Sequence, residues 1–279
     1  MTGPGSRSAD QWETANGKRA VQANGSADST RDTDFNSATL KRAIEKHVVP
    51  EVTQADDSEL VAGVLPADVL RALTSHNAGF LRTIVPALLE QHVSFSRFHD
   101  AVLMPVLTLL GEKWSRDELD FLTVDLATTR MQLVAEEFIR ENIRRRGGSE
   151  NVGKSVLLAH VDDEKHTLGM TMVRAFFLDA GWMVSGGTHV TPANGLYDAL
   201  RSEHFDLLAM SSGHEKAGYV HDVLQKARTR ARNDKIVICV GGPSVADDET
   251  RFSNVGAEII AYDPRDAVAE ANVMVASVA

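Results

Sequence analysis

The spacing of apolar residues changes once along this chain. From Pro66 to Arg146 they recur every three or four positions, the period of helices that each bury one face. Pro66 suits a first helical turn and is followed by Val69, Leu70 and Leu73. Phe80, Leu81, Ile84, Val85, Leu88 and Leu89 make a second face, and Phe95, Phe98, Val102, Leu103, Val106, Leu107 and Leu110 a third. Pro86 and Pro105 fall inside these runs and predict kinks or breaks, because proline lacks the amide that a helix bonds. After a predicted turn at Gly111, Ser115-Arg116-Asp117-Glu118 has the form of a capping box. It would open a last helix with Leu119, Leu122, Leu126, Leu133, Val134, Phe138 and Ile139 inward, stopped by Gly147-Gly148. The pattern predicts a small four-helix bundle.

Beyond Gly153 short apolar runs alternate with helical stretches. Strands are expected at 156–161, 183–188, 207–210, 236–240 and 258–261, and helices at 170–180, 196–204, 219–230, 246–254 and 266–275. Five such units predict an α/β fold, a flavodoxin-like (Rossmann-like), doubly wound, five-stranded parallel sheet of order 2-1-3-4-5. Residues 1–36 are polar and nearly free of large apolar side chains, the composition of a disordered tail. Leu40, Ile44 and Val48 then fall at helical spacing before Pro50. The expected divisions are 1–36 tail, 37–148 helical bundle and 153–279 sheet domain.

Composition narrows the chemistry. No apolar run approaches the roughly 20 residues of a membrane span, and there is no apolar signal-peptide core, so a cytoplasmic location is expected. Cys239 is the only cysteine and sits in an apolar strand, which leaves no thiolate cluster or disulfide framework. The net charge of −10 opposes nucleic-acid binding as the main activity. Direct DNA contact is left to the local cluster Arg140, Arg144, Arg145 and Arg146, whose placement at a helix end also complements the helix dipole.

Candidate chemistry gathers after the strands, where open parallel sheets bind ligands. Strand 1 leads into Asp162-Asp163-Glu164-Lys165-His166-Thr167-Leu168-Gly169, strand 3 into Ser211-Ser212-Gly213-His214, strand 4 into Gly241-Gly242-Pro243-Ser244, and strand 5 into Tyr262-Asp263-Pro264. A histidine with a carboxylate two residues before it and a glycine three after it suits a metal ligand with a close-lying group. A phospho-receiver would need an acceptor aspartate after strand 3 and a lysine after strand 5, where Ser211 and Tyr262 stand. A flavin phosphate would be repelled by the acidic first loop, and no G-x-G-x-x-G follows strand 1.

Glu164-Lys165-His166-Thr167-Leu168-Gly169, Ser211-Ser212-Gly213 and Gly241-Gly242 resemble the D-x-H-x-x-G, S-x-L and G-G motifs of cobalamin-binding domains. The helical segment, with Leu110-Gly111-Glu112-Lys113-Trp114 and Asp120-Phe121-Leu122-Thr123-Val124, resembles the bundle that precedes such domains. Within that superfamily the chain looks most like the AerR/PpaA photosynthesis-gene antirepressors. The resemblance implies that His166 ligates cobalt from below, oriented by Glu164, with Lys165, Thr167, Leu168 and Gly169 beside it. Ser211, Ser212 and Gly213 would flank the buried tail, Gly241 and Gly242 would leave it room, Pro243 and Tyr262 would also contact the cofactor, and Trp114, Phe121 and Val124 would lie over the upper corrin face. Three positions depart from the family: Glu164 replaces Asp, Gly213 replaces Leu, and Val124-Asp125 stands where corrinoid photoreceptors with their own DNA-binding domain carry Glu-His. Upper ligation by histidine from that site is therefore absent, and hydroxo- or aquocobalamin is expected in preference to the adenosyl form. Relatives also hold haem, which stays open as the alternative cofactor.

The resemblance implies a non-enzymatic, light-responsive regulator whose partner is a transcription repressor of photosynthesis genes. A corrinoid methyl carrier has the same two-part plan and stays open, as does a haem-binding redox or light sensor.

Overall fold

The computed structural model describes residues 64–75, 79, 81–145, 153–161, 167–213 and 216–278. The predicted tail, the Leu40–Val48 segment and the Glu164-Lys165-His166 triplet lie outside the described residues.

The helical part comprises α1 (Pro66–Thr74), α2 (Leu81–Glu90), α3 (Phe95–Phe98), a π-helical turn (His99–Leu103), α4 (Met104–Ser115) and α5 (Phe121–Arg145). The expected apolar faces of α1 to α4 are buried or half-buried, with Phe80 and the Leu81 side chain outside the description. Pro86 is accommodated within α2. Pro105 has a local effect: having no amide to donate, it leaves the preceding turn wide, and the Met104 N–H donates to the His99 carbonyl. Gly111 does not turn the chain; it is buried inside α4.

Two expectations for the last helix fail. Ser115 closes α4 instead of opening α5, and Glu118 pairs with Lys113 at 2.7 Å. The working cap is Asp120, whose carboxylate accepts the Thr123 N–H at 2.7 Å. Moving the start by five residues changes which face points inward. Val124, Ala127, Met131, Val134, Ala135, Phe138 and Ile139 are buried, Leu119 is half-buried, and Leu122, Leu126 and Leu133 face solvent. The leucines fit the helical period as well as the buried set does, and only packing against α1, α2 and α4 chooses between them.

The second part is β1 (Ser155–His160), α6 (Thr167–Asp179), β2 (Met183–Gly186), α7 (Leu196–Ser202), β3 (Leu207–Ser211), α8 (Ala217–Arg230), β4 (Val237–Gly241), α9 (Pro243–Asp247), a 3₁₀ turn (Glu249–Phe252), β5 (Ile259–Ile260) and α10 (Pro264–Val278). All pairings are parallel in the order β2-β1-β3-β4-β5, as the sequence predicts. The helix expected at 246–254 is instead α9, which starts at Pro243, followed by the 3₁₀ turn.

One apolar core joins the bundle to the sheet face covered by α6 and α10, and a second fills the opposite face under α7 and α8. Phe176 of α6 meets Phe95 edge-on at 4.8 Å between ring centres and His99 at 5.2 Å. A fully buried side chain of this size contributes about 1.5–3 kcal/mol. Polar links flank the contact: Thr167 Oγ1 donates to Gln132 Oε1 at 2.6 Å, and Arg265 of α10 bonds Asp100 at 3.1 Å.

Candidate functional site

The strands end level with one another, because register aligns residues that are far apart in sequence. His160 pairs with Ser211 and Ser211 with Gly241. Val161 N–H donates to the Ser211 carbonyl at 2.9 Å, Ser212 N–H to the Gly241 carbonyl at 2.9 Å, and Ala261 N–H to the Val240 carbonyl at 3.1 Å. At the usual spacing of about 4.8 Å between strands, the ends of β1, β3, β4 and β5 form an edge about 14 Å long. The chain leaves β1 at this edge and re-enters the description at Thr167, immediately after His166.

Most of the sequence-assigned residues gather here. Ser212 and Gly213 are buried, Ser211, Gly241, Gly242 and Pro243 are half-buried, and Tyr262 is exposed beyond β5. Thr167 is half-buried, Leu168 is buried and Gly169 is exposed in the first turn of α6. The bundle residues divide. Trp114 and Val124 lie in the bundle core, leaving Phe121, 54% exposed, as the member of that trio with surface to offer a ligand. Phe121 shares a face of α5 with Asp125, Thr128 and Gln132, and Gln132 bonds Thr167.

The motif glycines have different physical causes. Gly242 has φ +99°, and a Cβ there would lie 2.6 Å from Ser211 Oγ and 2.7 Å from the Ser212 carbonyl oxygen. A Cβ at Gly241 would lie 2.5 Å from the Ala261 carbonyl oxygen. Both positions therefore need glycine for the protein's own packing, and the room they provide is taken up by the neighbouring strand ends. Gly169 is the opposite case: a Cβ there would meet nothing within 4 Å. The protein's own packing gives no steric reason for glycine at this point, and the first turn of α6 is open there.

A second feature fits a polar ligand. Among the described residues the Ser244 hydroxyl is buried without a hydrogen-bond partner, while its backbone N–H donates to the Ser212 carbonyl at 3.1 Å. It offers a donor and an acceptor below the strand-end edge. Between β5 and the bundle, Arg265 bonds both Asp263 and Asp100, and Asp100 bonds His99 Nδ1 at 2.8 Å. Burial pushes the Asp263 carboxyl up, but hydrogen bonds and charge from Arg265, aided by His99, outweigh it and hold the carboxyl below the usual carboxylate range. Cys239 lies in the strand core, where burial pushes its thiol up to about 12, consistent with a packing role.

The sequence marks Ser244 only as part of a turn, and its one signal is a hydroxyl placed directly after Gly-Gly-Pro. Gln132 and the Asp100–Arg265 pair carried no signal, since their partners are 35 and 165 residues away.

Residues 154–272 match the family model of the B12 binding domain. No curated protein matches the chain in sequence. Among solved structures, the monomethylamine corrinoid protein of Methanosarcina barkeri is similar in fold, with a TM-score of 0.58 at 14% identity over 74% of this chain and 96% of that one. A cobalamin-binding protein from Desulfitobacterium hafniense DCB-2 aligns with a TM-score of 0.41 at 14% identity, over 76% of this chain and 98% of that one. The methanol:cobalamin methyltransferase complex of M. barkeri aligns with a TM-score of 0.40 at 16% identity, over 86% and 92%. The sheet part is thus a flavodoxin-like B12-binding fold, preceded by a helical region.

Proposed function

We propose that this protein binds a cobalamin over the ends of β1, β3, β4 and β5, with His166 as the cobalt ligand, and acts without catalysis of its own as a regulator that binds a transcription repressor of photosynthesis genes. The observation that carries the cofactor is the B12-binding match over 154–272, coincident with a strand-end edge that has an open glycine at 169 and a buried, unbonded hydroxyl at 244. The regulatory role draws on the resemblance to the AerR/PpaA antirepressors.

When bound, the corrin would supply a cobalt centre with an exchangeable ligand. Glu164 would orient His166 through its second ring nitrogen. Ser244 and the Ser211-Ser212-Gly213 turn would hold the polar tail by hydrogen bonds, and Phe121 would present its ring from the bundle. Neither Val124 nor Asp125 carries an imidazole with which to ligate cobalt from the bundle side, so the site would favour a small hydroxo or aquo ligand over adenosyl. The partner reads the cofactor through the bundle, which is tied to the site by Gln132–Thr167 and Asp100–Arg265.

Titration with hydroxocobalamin in the dark should shift its visible spectrum, and His166→Ala should weaken binding at least about tenfold, or about 1.4 kcal/mol. Unchanged binding by the variant removes His166 from the role. Tighter binding of haem in a parallel titration would replace cobalamin as the cofactor, and equal or tighter dark binding of adenosylcobalamin would remove the preference for the hydroxo form.

A corrinoid methyl carrier is the second reading, favoured by the fold shared with the M. barkeri corrinoid protein over nearly all of that chain. Formation of methylcobalamin on the protein from a methyl donor and a methyltransferase supports the carrier. Corrin-dependent capture of the repressor supports the regulator.

A further inference from the structure

Helix α5 passes the strand-end edge and continues above it. β1 brings the chain up to the edge and α6 returns it to the start of β2, so Thr167, the first residue of α6, stands near the edge. Gln132 of α5 is level with it, accepting the Thr167 hydroxyl at 2.6 Å. Lower down, Phe138 of α5 stacks on Phe98 at 4.6 Å between ring centres, and the adjoining Phe95 meets Phe176 of α6 at 4.8 Å. After Gln132, α5 therefore descends alongside α6. Residues 121–131 rise past the edge, Phe121 by about 16 Å along the helix axis. At 3.6 residues per turn, Thr128, Asp125 and Phe121 lie within about 40° of Gln132 around α5, so this side of the helix overhangs the strand ends. Phe121 and Asp125 are exposed on it and Thr128 is half-buried.

A directional contact ties the overhang to the site. The Gln132 amide is held at both ends: Nε2 donates to Glu136 Oε1 at 2.9 Å, which leaves Oε1 to accept from Thr167. Thr167 is held in turn by α6, whose Thr171 hydroxyl donates to its carbonyl at 3.2 Å. The apolar joint at Phe176 lies nine residues further along α6, about 13 Å lower, and apolar contact is non-directional whereas a hydrogen bond fixes distance and angle. Arg130, just above Gln132, fastens α5 to the Leu73 and Ser75 carbonyls at the end of α1 and not to the sheet part.

We infer that Gln132 is a positioning residue: through Thr167 it sets how closely the Phe121, Asp125 and Thr128 side of α5 overhangs the strand-end site, and so how large an upper ligand a bound corrin can carry. The inference rests on the cobalamin reading above. With the bond made, the overhang leaves room for a hydroxo or aquo ligand and excludes the far bulkier adenosyl group. Without it, the upper turns of α5 swing away and the discrimination is lost.

The test uses the full chain as wild type, Gln132→Leu, Thr167→Val, the double variant and Thr167→Ser, which keeps the hydroxyl. Hydrogen exchange of the apoprotein reads the positioning directly: the Thr171 and Met172 amides, which close the first turn of α6, should exchange at least about threefold faster in Gln132→Leu and stay near wild type in Thr167→Ser. Dark titrations with hydroxocobalamin and adenosylcobalamin read its effect on the ligand. The ratio of the two dissociation constants should fall at least about fivefold in either Gln132→Leu or Thr167→Val, fall no further in the double variant, and be kept in Thr167→Ser. Unchanged exchange, additive effects in the double variant, or an unchanged ratio in Gln132→Leu would overturn the inference and leave the cobalamin reading standing. Failure of the wild type to bind either form would overturn that reading, and this inference with it.

Discussion

Gly169 and Gly242 are both motif glycines, and their environments predict opposite responses to one added methyl group. Gly242→Ala forces a left-handed φ on alanine and drives a Cβ into Ser211 and Ser212, so a loss of about 2 kcal/mol or more is expected, read as a lower urea midpoint. Gly169→Ala has open space in a helix, where alanine is favoured by about 0.5–1 kcal/mol. The apoprotein should gain stability while affinity for hydroxocobalamin falls, because the methyl group occupies the ligand's approach. Trp114 shows why a residue's place in the fold sets what its mutation can report. Trp114→Ala empties part of the bundle core at about 3–5 kcal/mol, whereas Phe121→Ala removes an exposed ring with little loss of stability and so tests the proposed ligand contact.

Among elements, the start of α5 rests on Asp120, so Asp120→Ala should lower the thermal midpoint while Ser115→Ala leaves it nearly unchanged, the Ser115 hydroxyl donating only to the exposed Glu112 carbonyl. The contact between α10 and the bundle carries a pH dependence. Asp263 is held below its unfolded pKa, so its contribution is present above the usual aspartate value, about 3.9, and is lost as pH falls through the lower folded value. Arg265→Gln should therefore cost stability at pH 7, and the gap from wild type should close below about pH 4. Urea midpoints at several pH values measure it; a gap that stays constant would mean that Arg265 acts through packing alone.

For the whole molecule, the shared core should make the bundle and sheet unfold as one cooperative unit. Trp114 reports the bundle, and Trp182, stacked edge-on to Phe177 at 5.2 Å, reports the sheet part. With the other tryptophans replaced by phenylalanine, the two fluorescence transitions should coincide in urea. Phe176→Ala, which empties the joint between Phe95 and His99, should separate them or lower both together.

The sequence by itself determined the strand order, the sheet-plus-bundle plan and the loops that carry the candidate ligands. Each depends on local periodicity, turn chemistry and the short, right-handed connections of parallel strands. Motif spacing likewise pointed to Ser211, Gly241 and Tyr262 as residues of one edge, since strand ends share an edge whatever fills the core. Only the tertiary structure decided which apolar face of α5 turns inward, because Leu122, Leu126 and Leu133 satisfy the helical period as well as the buried residues do, and neighbouring helices select between them. It also placed Trp114 and Val124 in the bundle core, and joined Gln132 to Thr167 and Asp100 to Arg265. Contacts between residues so far apart leave no periodic trace in the chain; they exist only once the bundle and the sheet have packed against each other.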